Sequence, residues 1–182
     1  MIVNTTFYGT DAGNAPIAIY GEGVTDTEAY IISCTVAGNK SSSPDVCSGI
    51  AQASSKVKVY NSIVSGNKGG RDGIWAVKSS MNELIDQRTE TVSYSINAEK
   101  VFGDDDVMSG LLFDPEKMLG KASNGVVPLI GSGNPALTNG MTADQLKSIK
   151  SGREPEIDET EVVKDQKGNP RTGKVMGAYV GE

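Results

Sequence analysis

Histidine is absent from the 182 residues, which removes Ser-His-Asp triads, Cys-His dyads and imidazole metal sites together. Cysteine occurs only as Cys34 and Cys47, too few for a zinc site of their own. No run approaches the roughly 20 apolar residues of a membrane helix, and the first residues lack the basic stretch and apolar core of a signal peptide. Positive charge is in deficit, with 17 Lys and Arg against 23 Asp and Glu and a formal charge of −6. No basic cluster reverses that balance, so general attraction to nucleic acid or to an anionic membrane is disfavoured. Aromatic residues make up 5% of the chain, while glycine reaches 22 residues, a balance that suits many tight turns better than a bundle of long helices. A single β-rich domain is expected, long enough to bury roughly 70% of its unfolded surface.

What is present is a phrase written three times. NTTFYGTD from Asn4, SCTVAGNK from Ser33 and NSIVSGNK from Asn61 place Gly9, Gly38 and Gly66 at spacings of 29 and 28 residues. A period of that size belongs to solenoids, propellers and arrays. Each copy alternates apolar with small or polar residues and then reaches a turn, which predicts a short strand. Alternation puts the columns Val3/Ile32/Tyr60, Thr5/Cys34/Ser62 and Phe7/Val36/Val64 on one inward face. Thr6, Thr35 and Ile63 then point outward, where substitution at Thr35 is expected to be mild. A second strand per repeat stacks Ile17, Ile50 and Ile74, and a third, EAYII, SKVKVY and TETVSY, leads into the next copy. GVTDTE and KSSSPDV read as surface loops, and a partial fourth copy begins at Tyr94 and Ser95.

The pattern predicts an all-β fold, a right-handed parallel β-helix of about three and a half coils, with an irregular C-terminal capping segment. The coils span 1–102, and 103–182 is the irregular cap of the same domain. In that half, TADQLKSI reads as a short helix with Thr142 as its N-cap. Because Met1-Ile2-Val3 enters the first repeat with no cap over an open end, the chain reads as a piece of a longer secreted protein.

The tail VVPLIGSGNPALTNG followed by KDQKGNPRTGKVMGAYVGE resembles the closing segment of secreted right-handed β-helix proteins of the choice-of-anchor Q type, Bacteroidetes surface proteins with a pectate-lyase-like, pectin-lyase-like fold. NSIVSGN is a familiar line in the same group. The resemblance implies a non-enzymatic secreted or cell-surface protein, outer-membrane associated, working in adhesion or carbohydrate binding. Met176 and Val180 depart from the Asp and Glu usual there, and no anchoring segment follows Glu182. Read from the residues alone, Asp165, Gly168, Asn169 and Pro170 form a tight turn that Arg171 ties down, and KVMGAYV returns as a strand across the last coil.

Candidate chemistry is sparse. Asp104, Asp105 and Asp106 offer oxygen ligands for Ca²⁺ or an acid and base pair. Three adjacent residues on a strand cannot all face one ion, however, and such runs are usually solvated loops. Tyr8, Tyr20, Tyr30 and Trp75 are the candidates for stacking on a sugar ring, against the alternative of packing between repeats. Cys34 sits in a predicted inward column, so a buried free thiol competes with a Cys34–Cys47 disulfide. A monomer that binds a polysaccharide or cell-surface glycan, without a cofactor, is the expectation. A degenerate polysaccharide lyase or glycoside hydrolase and a structural stalk module are the alternatives.

Overall fold

The computed structural model describes residues 1–13, 15–20, 28–41, 48–53, 56–68, 74–76, 89–93, 95–97, 100–102, 108–112, 135–152 and 156–179. The first repeat forms β1 (Ile2–Val3), β2 (Thr6–Tyr8), β3 (Asp11–Ala12) and β4 (Ile17–Tyr20). The second forms β5 (Glu28–Ile32), β6 (Thr35–Ala37), β7 (Lys40–Ser41) and β8 (Ile50–Ala53). The third contributes β9 (Lys56–Tyr60), β10 (Ile63–Ser65) and β11 (Ile74–Ala76). Beyond it lie β12 (Thr89–Ser93), β13 (Ile96–Asn97), β14 (Lys100–Phe102) and β15 (Met108–Leu112).

Like strands of successive repeats pair in parallel, and the sequence period sets their register. Phe7, Val36 and Val64 stand opposite one another, as do Val3, Ile32 and Tyr60, and Ile17, Ile50 and Ile74. The strands sort into sheets of order β1-β5-β9-β12, β15-β14-β13-β10-β6-β2, β11-β8-β4 and β3-β7.

This topology corrects the expectation of a right-handed parallel β-helix with a pectin-lyase-like fold. What is formed is four small, separate sheets built on parallel pairing of the repeats, none closed on itself, with no continuous coil shown among the described residues. Pairing between equivalent strands needs only matched sequence, whereas a coil also needs the joins between sheets. Several of those joins fall at 21–27, 42–47, 69–73 and 77–88, outside the described residues. The second sheet also leaves the repeat pattern: β13, β14 and β15 are antiparallel neighbours, so the stretch after Gly103 expected to be irregular contributes a strand.

Inside each repeat the chain bends twice. Asn4, Ser33 and Asn61 adopt φ of 50°, 52° and 52° between the first and second sheets, and Gly9, Gly38 and Gly66 adopt 71°, 64° and 72° where β2, β6 and β10 end. Left-handed backbone disfavours most L-residues, which accounts for Asn, Ser and Gly recurring at these places. The first bend also breaks strand alternation, so one of the three predicted inward columns faces the other way. Cys34, Val36 and Val64 pack in one core with Ile17, Ile31, Ile50, Val57 and Val59, and Phe7 lies against it. Ile32, with Val3 and Tyr60 beside it, faces the other way into a second core with Met141, Leu146, Ile149, Ile157 and Val162.

The C-terminal segment supplies that second core. It contains a 3-10 turn at Pro135–Leu137 and one helix, α1 (Ala143–Ser148). Thr142 caps α1 as expected, with its hydroxyl accepting from Gln145 N–H and the Gln145 side chain accepting from Thr142 N–H. The segment's described residues, 135–152 and 156–179, hydrogen-bond to the corners of the repeats at Asn4, Thr35 and Asn61. It lies along the flank, where outward apolar side chains and the bent corner need cover. No described helix is long and apolar enough to cross a membrane.

Candidate functional site

The flank is held by hydrogen bonds to the corner of all three repeats. Asn61 is the hub: its Nδ2 donates to Ser33 Oγ (2.9 Å) and Val175 O (3.1 Å), its Oδ1 accepts from Met141 N–H (2.8 Å), and its backbone O accepts from Gly177 N–H (2.8 Å). Ala178 N–H donates to Thr35 Oγ1 at 3.0 Å. Thr35 is therefore 3% exposed and Ile63 wholly buried, which corrects the expectation of an open outer face. At the first repeat, Asn4 Nδ2 donates to Glu161 O, and Asn4 Oδ1 accepts from Arg171.

Asp165, Gly168 and Arg171 are brought together in one turn. Asp165 Oδ1 accepts from Lys167 N–H (2.8 Å) and Asn169 N–H (2.9 Å), and Gly168 takes φ of 84°. The buried Arg171 guanidinium donates to Lys164 O (2.8 Å), Gly177 O (2.7 Å) and Asn4 Oδ1 (3.1 Å). Burial pushes its pKa down to about 10, opposed by the charge of Asp165. These bonds link the turn to the repeats and point at no open cleft.

Of the four aromatic candidates, the side chains of Tyr8 and Tyr30 are described. Tyr8 ends β2, 39% exposed, with its ring against Gly38 of the next repeat. Tyr30 is buried: its hydroxyl donates to Glu28 Oε2 (2.7 Å) and accepts from Lys58 Nζ (3.1 Å) and Gly152 N–H (3.3 Å). Lys58 also pairs with Glu28 at 3.2 Å. Tyr20 and Trp75 lie on β4 and β11 of the third sheet, and their side chains fall outside the described residues. Asp104, Asp105 and Asp106 lie outside the described residues, among which no group of three or more His, Cys, Asp or Glu could hold a metal ion. Cys34 is a buried free thiol, and Cys47 lies outside the described residues.

The outer edge of the first repeat, read from the sequence as an uncapped end, is the remaining feature. β1, β2, β3 and β4 each stand at the end of their sheet. Column by column, cover is lost there. Ile31, Ile32, Cys34, Val36 and Asn39 are wholly buried in the second repeat. Their counterparts Ile2, Val3, Thr5 and Phe7 are only half-buried, and Thr10 is exposed. Residues 1–20 carry a single charged side chain, Asp11, and a single proline, Pro16, although edges are ordinarily guarded by charge, proline or a covering segment. The signal was available in the sequence as that scarcity of charge.

No family model, curated protein or solved structure matches the chain. The resemblance to choice-of-anchor Q proteins is therefore corrected, and with it the function it implied, a Bacteroidetes β-helix protein for adhesion or carbohydrate binding, as are the alternatives of a degenerate lyase or hydrolase and a stalk module. The separate, unclosed sheets do not supply the β-helix on which those readings rest.

Proposed function

We propose that this protein is a polypeptide-binding scaffold that takes up an extended strand along the edge formed by β1, β2, β3 and β4. The carrying observation is the contrast within columns: positions wholly buried in the second repeat are half-covered or exposed in the first, on an edge with one charged side chain. Among the described residues no strand pairs with the outer side of that edge, and strand addition there derives affinity from the main chain and selectivity from alternate side chains. The acidic balance, −6 overall, favours a polypeptide over nucleic acid.

The test is a panel of uncharged, alternating, strand-forming peptides added to the full chain, with amide hydrogen exchange as readout. Slowed exchange at residues 2–8 and 17–20 is expected. Protection confined to the flank around Ala143–Ser148, or none on the edge with any peptide, would reject the reading.

A further inference from the structure

Asn139 and Gly140 form one of two Asn-Gly pairs in the chain, the other being Asn124 and Gly125, which lie outside the described residues. Such a pair is chemically unstable, because glycine has no side chain to hinder attack by its own backbone nitrogen on the preceding carboxamide. Here the fold holds that nitrogen. Gly140 N–H donates to Lys174 O (2.9 Å), Asn139 N–H to Pro135 O (3.0 Å) and Met141 N–H to Asn61 Oδ1 (2.8 Å). These bonds fix the backbone on both sides of the reacting atoms, with Asn139 half-buried and Gly140 buried.

Gly140 is there for room and not for backbone conformation. It is not among the left-handed glycines, yet a Cβ on it would lie 2.6 Å from Asn61 Oδ1, 2.8 Å from the Val175 carbonyl carbon and 2.9 Å from Met176 N. Two of those three neighbours are backbone, which cannot swing aside as the end of a side chain does. Residues 139–141 are therefore pinched between the Asn61 hub and the run at 174–176. The pinch leaves no space for an extra main-chain atom.

We propose that Asn139 is a site of intramolecular deamidation, suppressed while the C-terminal segment is seated on the repeats, and that the isoaspartate product keeps the segment from seating again. When the segment lifts, Gly140 N is released from Lys174 O and turns onto Asn139 Cγ. The N–Cγ bond forms, the Cγ–Nδ2 bond breaks, and ammonia leaves with the proton given up by the Gly140 amide, so that a five-membered imide remains. Water then adds across one of the two imide C–N bonds, and no oxidant or cofactor enters. Opening on the side-chain carbonyl gives aspartate on an ordinary backbone. Opening on the main-chain carbonyl gives isoaspartate, which routes the chain through Cβ and Cγ and lengthens the path to Gly140 by one carbon, about 1.5 Å. The pinch admits the first product and excludes the second. A passing release of the segment thereby becomes a lasting one, baring Thr35 and Ile63, which the seated segment keeps buried. This site is independent of strand addition at β1 to β4.

The test is to age the full chain at neutral pH and follow Asn139 by peptide mass spectrometry, which reads the replacement of NH by O and separates the isoaspartate isomer. In denaturing urea Asn139 and Asn124 should react at similar rates. In native buffer Asn139 should react at least about tenfold more slowly than in urea, because reaction through an opened state is scaled by the population of that state. Gly177→Ala, which loosens the segment, should raise the native rate at least about tenfold, with amide exchange at Lys56–Tyr60 and Ile63–Ser65 unchanged to show that the repeats stay folded. A urea series below the unfolding midpoint makes the same comparison on the unaltered chain if that variant loses its fold. The purified isoaspartate form should exchange fast from Met141 to Ala178. Asn139→Asp, with the same charge on an ordinary backbone, should be protected there like the parent. Native Asn139 reacting as fast as in urea, or at a rate that loosening the segment leaves unchanged, overturns the suppression. An isoaspartate form as well protected as Asn139→Asp overturns the block on seating.

Discussion

Val36 and Thr35 are neighbours on β6 that face opposite ways, and both are buried. Val36→Asp places an unpaired carboxylate in the apolar core and should cost several kcal/mol. Thr35→Asp forces a carboxylate beneath Gly177 and Ala178 and should cost about 2 kcal/mol or more, by the same desolvation argument. Urea midpoints would measure both, and a Thr35→Asp variant as stable as the parent would mean that the C-terminal segment leaves this face open. Cys34 makes a prediction about pH. Desolvation raises its thiol pKa from 9.0 to about 11, against backbone hydrogen bonds that lower it. The unfolded thiol loses its proton first, so this contribution is complete below about pH 9 and lost as pH rises through 11. Its size is on the order of 2 to 3 kcal/mol, at about 1.4 kcal/mol per pH unit. The stability difference between parent and Cys34→Ala should shrink by that amount between pH 8.5 and 11, and a constant difference would contradict it.

At the scale of elements, the C-terminal segment behaves as a clasp, and one of its tight approaches to the repeats is Gly177. That residue takes φ of 88°, and a Cβ there would lie 2.7 Å from Thr35 Oγ1 and 3.0 Å from Ile63 Cδ1. Gly177→Ala combines left-handed strain of about 1 to 2 kcal/mol with that overlap. A loss of about 2 to 4 kcal/mol is expected in urea unfolding, with faster amide exchange from Met141 to Ala178. An unchanged midpoint would mean that the segment crosses the corner less tightly. The other elements show what could be read in advance. Thr142 before a helix-forming run carries its cap in neighbouring residues, so α1 was legible. The strand Met108–Leu112, within the half expected to be irregular, was not legible because its partner, Lys100–Phe102, is antiparallel and lies outside the repeat.

For the whole molecule, the sequence by itself determined the period, the register and the bends. Each repeat is written in residues that pair with their own counterparts, and Asn, Ser and Gly recur where φ is positive. It also carried the candidate edge in a barely visible form, as twenty residues with one charged side chain. Tertiary structure alone decided which faces are buried, where the tail lies and which strands are left without a neighbour. Burial of the outer face depends on contacts such as Asn61 with Val175, 114 residues apart, and Thr35 with Ala178, 143 residues apart. Alternation within a strand reports that its two faces differ. It does not report what packs on the second face, because that is a property of distant chain, and a left-handed bend such as Ser33 resets the alternation that the prediction assumed to be continuous.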